Sequence, residues 1–211
     1  MPDSDLIALD VAILPPPDVT ARAVALSYSL PDDDSQDLRL DQQHLPHVTL
    51  TQQFVRANEL EEAFSHIDGV LKTQPPLTMH VTGAGESGST VWMAIERTTA
   101  IVDLHHRLMD ALRGLERPDG GRAAFADQGA RVGDVLWVAS FRLKASFGAY
   151  TPHITLGHAS AHPAIQPFAF EARTVAACHL GRFCTCRRVL HEWQLKTEIP
   201  NSKSQIPMKS Q

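Results

Sequence analysis

His47 and Thr49 stand two residues apart in the chain, and so do His153 and Thr155. Their settings are nearly the same: Leu45-Pro46-His47-Val48-Thr49-Leu50 and Thr151-Pro152-His153-Ile154-Thr155-Leu156. In an extended chain, side chains at i and i+2 share a face. Each His would then point the same way as its Thr, while Val48 and Leu50, like Ile154 and Leu156, turn into a core. An imidazole exchanges a proton near neutral pH, with an ordinary pKa of about 6.5. A hydroxyl donates a hydrogen bond to an oxygen on which charge builds. Two such pairs suit cleavage of a phosphodiester. One His takes a proton from water, the other protonates the leaving oxygen, and the two oxygens lie roughly in line through phosphorus.

The flanking sequence must supply the strands that carry these pairs. Residues 6–14 alternate apolar with small or polar side chains and end at Pro15-Pro16-Pro17, a strand stopped by prolines. Asp18 is placed to cap a helix through Ala21, Ala23, Val24, Leu26 and Leu30. A solvated loop is expected at 31–35, and the first His motif falls on a strand over 47–55. Asn58 is placed to cap a helix with Leu60, Phe64, Ile67 and Leu71 on its apolar face. Strands at 77–82 and 90–96 flank a Gly-rich turn at 83–88. A helix opens at Thr98 or Thr99 and runs through Ile101, Leu104, Leu108 and Leu112. Residues 117–133 are weakly patterned and read as a mobile loop. Asp134 is placed to cap a helix with Leu136, Trp137, Phe141 and Leu143. Strands are expected at 150–157, 168–180 and 187–195, then a disordered tail at 199–211. This order lacks a regular βαβ alternation, so antiparallel sheets with helices outside are expected, an α+β fold.

The composition narrows the function. The chain has 211 residues, 43% of them hydrophobic, and a net charge of −5. It lacks the basic excess needed to track long nucleic acid, and a small anionic substrate suits it better. The acidic start and the absence of a long apolar run indicate neither a signal peptide nor a membrane span. Three clustered cysteines, an odd number, fit a reducing, cytoplasmic setting.

Three further patterns carry less. With 11 histidines, a bare His-x-Thr is cheap, and His80-Val81-Thr82 is a third copy without the flanking Pro and Leu. Residues 83–88 match G-x-G-x-x-G, but a strand-like segment follows where a phosphate-binding helix would be needed. Cys178, His179, Cys184, Cys186 and His191 match no paired Cys-x2-Cys spacing, so no metal site is expected. His105-His106 and His158 with His162 read as surface or helix-face histidines. Arg142, Lys144, Arg187 and Arg188 read as a solvated face, with phosphate contact as the alternative.

The doubled Pro-His-x-Thr-Leu unit, about half a chain apart, resembles the 2H phosphoesterase superfamily. That group includes bacterial 2'-5' RNA ligase-like proteins and cyclic nucleotide phosphodiesterases. The strand and helix before the first motif resemble it too, as does Leu180-Gly181-Arg182 with the 187–193 stretch near the end. The resemblance implies one bilobal domain over 1–198, with two pseudo-symmetric antiparallel sheets lining a central cleft and helices outside. It implies a catalytic set of His47, Thr49, His153 and Thr155, with His153 as base and His47 as acid, and neither metal nor cofactor. The expected substrate is a small phosphorylated nucleotide: a 2',3'-cyclic phosphate, an RNA end carrying one, or a 2'-5' linkage. Reversible 2'-5' ligation of RNA and a non-catalytic nucleotide-binding module are the alternatives. Tyr150, Phe54 and Trp92 are candidates to stack a base, and a monomer is expected. Residues 117–148 form an insertion relative to the shortest members.

Overall fold

The computed structural model describes residues 6–31 and 38–196. Most of the expected loop at 31–35, and the tail expected at 199–211, lie outside the described residues. Among the described residues, eight strands form two four-stranded antiparallel sheets. The first, in the order β2-β1-β7-β8, holds β1 (Leu6–Leu14), β2 (Val48–Arg56), β7 (Thr174–Leu180) and β8 (Cys186–Gln194). The second, in the order β5-β4-β3-β6, holds β3 (Leu77–Ser87), β4 (Thr90–Ile95), β5 (His153–His158) and β6 (Phe168–Ala172). The described residues also hold four α-helices, α1 (Pro17–Tyr28), α2 (Leu60–Leu71), α3 (Thr99–Ala111) and α4 (Val132–Lys144), and several single-turn 3-10 helices. The class is α+β, as expected.

β1 is buried on both faces. Leu9, Val11 and Ile13 enter the larger core, and Ala8 and Ala12 enter a smaller one on the opposite side, the side of Asp10. Pro17 opens α1 at its first turn, where a missing N–H costs nothing. Pro16 holds the cap position. Asp18 sits in the first turn, where its charge favours the helix N-terminus.

Four expectations need correction. The apolar run at 168–180 is two strands in different sheets, parted at Arg173, whose carbonyl accepts Leu195 N–H at 2.7 Å. An unbroken hydrophobic run does not reveal a change of sheet. The Gly-rich stretch at 83–88 is mostly strand, since β3 runs on to Ser87 and the turn narrows to Gly88-Ser89, with Gly88 at φ 58°. Gly85 is there because the Trp92 indole lies across it: a Cβ would stand 2.4 Å from Trp92 Nε1.

The stretch at 117–133 is packed down. Ala124, Phe125 and Ala130 are buried against Phe54, Ala8 and Ala176 in the smaller core. Arg117 N–H donates to Phe54 O at 2.9 Å, Ala126 N–H to Leu180 O at 2.8 Å, and Asp127 pairs with Arg187 at 2.8 Å. Finally, α4 starts before Asp134, whose carboxylate accepts Arg131 N–H at 2.8 Å from within the first turn. Its buried face is Asp134, Val138 and Phe141, while Leu136 is 60% and Leu143 87% exposed. The apolar residues surround this helix: of the four expected on it, Phe141 is buried, while Leu136, Trp137 and Leu143 are exposed.

β2 and β5 are each the edge strand of their sheet. An open edge presents unpaired backbone groups, and here side chains on helices and loops satisfy them. His105 of α3 donates from Nδ1 to Leu50 O at 2.6 Å, and Tyr150 Oη–H donates to Thr49 O at 2.9 Å. On the other sheet, Ser27 of α1 donates to Leu156 O at 2.6 Å and accepts Leu40 N–H at 3.0 Å. His105 is therefore not a surface residue. It is fully buried, stacked on Tyr150 at 4.0 Å, and its Nε2 accepts Phe147 N–H at 2.8 Å. Burial holds its pKa at about 4, so the ring is neutral.

Candidate active site

The two His-x-Thr segments meet across a cleft of about 530 Å3 between the sheets. His47 immediately precedes β2 and His153 opens β5. The two-residue alternation holds at both: Val48, Leu50, Ile154 and Leu156 are fully buried, while His47, Thr49, His153 and Thr155 line the cleft. The preceding Pro extends the backbone so that each ring folds back on its own segment. His47 Nδ1 lies 2.7 Å from Leu45 O, and His153 Nδ1 lies 2.7 Å from Thr151 O. A carbonyl only accepts, so Nδ1 carries hydrogen in both rings, and Nε2 is left for chemistry. The rings feel one another: burial lowers the His153 pKa first, and the charge of His47 lowers it further against the pull of the Thr151 carbonyl.

Asp10 breaks the symmetry. Its side chain is fully buried beneath the first pair, with Oδ2 accepting from Thr49 Oγ1 at 2.8 Å and from Gln52 Nε2 at 2.7 Å. His47 Nε2 is 3.7 Å from the same oxygen. Burial pushes the Asp10 carboxyl above its ordinary range, against the opposing effects of His47, Gln52 and Thr49. Sequence reasoning missed Asp10 and Gln52. The available signal was one carboxylate in the middle of a nine-residue apolar strand, which is costly to bury without a purpose.

The expected base-stacking residues part company. Trp92 lines the cleft, its ring 5.0 Å from that of His153. Tyr150 reaches the cleft wall but is 3% exposed and stacked on His105, which makes it a support for β2. Phe54 is fully buried, edge-on to Phe125 at 5.9 Å, and does not line the cleft. Residues 117–148 contribute Arg131, Trp137 and Lys144 to the cleft. Phe183 joins them at φ 64°, a strained conformation for an aromatic residue, with the Arg131 guanidinium 4.0 Å above its ring.

Of the other basic candidates, Arg142 pairs with Glu116, Arg187 pairs with Asp127, and Arg188 reaches His179 at 3.3 Å. His158, expected at the surface, is buried in the cleft wall with Nδ1 3.0 Å from Ser89 Oγ. His80 is exposed on β3, away from the cleft. The three cysteines are free, and the His191 ring lies tilted against that of Trp193, 4.4 Å between centres. No helix among the described residues is long and apolar enough to cross a membrane.

No curated protein sequence matches the chain. Solved structures do. TT0787 of Thermus thermophilus superposes with a TM-score of 0.60 at 15% identity, covering 92% of this chain and 100% of that one. E. coli LigT complexed with 3'-AMP gives 0.57 at 17% identity, and LigT complexed with phosphate gives 0.58 at 18%, each over 92% of this chain and 100% of LigT. At these identities the likeness is one of fold. The sequence model of the 2'-5' RNA ligase superfamily matches residues 15–188, a span that takes in both His-x-Thr segments. The chain belongs to the 2'-5' RNA ligase superfamily, the 2H phosphoesterases.

Proposed function

We propose that this protein is a phosphodiesterase that hydrolyses small cyclic phosphates, of the 2',3'-cyclic nucleotide or RNA-end type, or 2'-5' linkages, without a metal in the chemistry. One observation carries the reading. Two imidazoles, each held through Nδ1 by the carbonyl two residues before it, present Nε2 to one cleft. The nucleotide class is supported by LigT, which has been crystallised with ATP, 3'-AMP and phosphate. The cleft is complete within one chain, and the free thiols fit a reducing compartment such as the cytoplasm.

The roles follow from the asymmetry. A general base must be neutral, and burial keeps His153 neutral, with a lone pair on Nε2. A general acid must hold hydrogen on both nitrogens. Only His47 has a carboxylate, Asp10, facing its Nε2. His153 Nε2 takes a proton from water as the water oxygen attacks phosphorus. The bond to the leaving oxygen breaks on the opposite side, and His47 Nε2–H protonates that oxygen. Thr155 lines the cleft, where its hydroxyl can donate to a non-bridging oxygen, while Thr49 gives its hydroxyl hydrogen to Asp10. Lys144 lines the same cleft, as does Arg131, which is paired with Asp134. Trp92 and Phe183 offer faces for a base.

The test is a panel assay in EDTA with 2',3'-cyclic mononucleotides, cyclic dinucleotides and 2'-5' oligoadenylate. Turnover that survives chelation and needs both histidines supports the assignment. Tight binding without turnover replaces it with a sensor, and joining of RNA ends without hydrolysis replaces it with a ligase.

A further inference from the structure

Beneath His47 lies a set of groups that the hydrolytic reading uses only in part. Asp10, His47 and Cys186 each bring one ligand atom to within 4.8 Å of the other two. Strands far apart in sequence supply them, β1, the start of β2 and the start of β8. A backbone bond from Leu45 N–H to Cys186 O at 3.0 Å ties the last two together. His47 already donates from Nδ1 to a carbonyl, the arrangement that orients a ring for metal binding through Nε2. Asp10 Oδ1 is buried without a hydrogen-bond partner, although Oδ2 accepts from Thr49 and Gln52. Cys186 is fully buried.

We propose that Asp10, His47 and Cys186 form an inhibitory site for a borderline-soft divalent cation of the zinc type. Nitrogen, oxygen and sulfur ligands at about 2.0–2.3 Å from the metal need to stand roughly 3–4 Å apart. The 3.7 Å from His47 Nε2 to Asp10 already meets that, and a small movement of Cys186 completes it. On binding, the Cys186 thiol loses its proton to solvent and its sulfur bonds the cation, so affinity rises with pH. The cation takes the nitrogen that must carry the acid's proton, so hydrolysis stops while it is bound. The binding stands apart from the proposed reaction, whereas the inhibition rests on it.

Cobalt(II) reads the site directly, because a thiolate ligand gives a charge-transfer band in the near ultraviolet. Titrating the purified, metal-free protein with Co2+ is expected to give that band with one equivalent. Cys186→Ser abolishes it, and His47→Ala and Asp10→Asn each weaken binding at least about tenfold. Cys184→Ser leaves the band intact, although that thiol lies nearer the cleft. Circular dichroism shows that each variant is folded, and His47→Ala decides the matter if either core variant is not. In the hydrolysis assay, zinc inhibits, EDTA restores the rate, and Cys186→Ser weakens zinc inhibition at least about tenfold. No band in the parent protein, or the same band in Cys186→Ser, overturns the site. Binding that is lost in Cys186→Ser while zinc fails to inhibit overturns the inhibition alone.

Discussion

Thr49 turns its hydroxyl hydrogen away from the cleft and onto Asp10 Oδ2, 2.8 Å below it on the neighbouring strand. The two lobes otherwise present matching His-x-Thr pairs, yet one stands over a buried carboxylate. A charge placed under only one of two like pairs divides them into unlike roles.

Asp10→Asn keeps an acceptor for Thr49 and removes the charge. The expected result is a fall in kcat of about tenfold or more with little change in KM. Parent-level kcat in the folded variant would separate Asp10 from the acid step.

His47→Ala and His153→Ala should each lower hydrolysis of a 2',3'-cyclic nucleotide by at least about 100-fold. His80→Ala, at an exposed position of β3 outside the cleft, should leave it unchanged. Near parent-level turnover in either folded cleft variant contradicts the two-histidine scheme.

The acid limb of kcat/KM should lie below the ordinary imidazole pKa of about 6.5. A base works when unprotonated, and burial together with the charge of His47 lowers the His153 pKa, so the neutral form persists to lower pH. A pH series in constant ionic strength measures it, and an acid limb above that value would assign the base elsewhere.

Stability should carry a second pH signature, from His105. Its folded pKa of about 4 lies below its unfolded value of about 6.5. Between these two values the unfolded chain binds more protons, so stability falls as the pH is lowered across that window, by up to about 3 kcal/mol. Urea unfolding at several pH values should show this slope, and His105→Gln should flatten it.

Trp92 and Phe54 should separate binding from folding. Trp92→Ala removes a face from the cleft and should raise KM for a base-bearing substrate by roughly 5–100-fold, the worth of one stacked base. Phe54→Ala should cost about 3–5 kcal/mol of stability, read from chemical denaturation, as expected for a buried ring.

The His-x-Thr pairs were legible because period-two patterning fixes which side chains share a face. Most strands were legible for the same reason, and the buried faces of α2 and α3 through the 3.6-residue period of a helix. Three features depended on partners distant in sequence. Residues 168–180 look continuous because the second strand of the run is buried nearly throughout, and nothing local marks Arg173 as the crossing point. The stretch at 117–133 looks loose because its few apolar residues, Phe125 among them, gain meaning only against Phe54 and the small residues of β1 and β7. Phe54 and Trp92 both sit on strands near the motifs. Which of them reaches the cleft depends on strand register and on Gly85, neither of which is visible from spacing.

The path of the chain through its two sheets has a consequence for how the protein is made. The second sheet draws all four strands from residues 77–172, a continuous stretch, whereas the first takes β1 and β2 from the beginning and β7 and β8 from the end. On the ribosome, one half can assemble as it emerges, while β1 waits for a neighbour still to be synthesised. The closure of a loop from residue 14 to residue 174 makes that pairing late and slow. The surroundings of His47, including its tie through Leu45 to Cys186, are therefore finished last. A nascent chain holds both histidines long before it holds an active site.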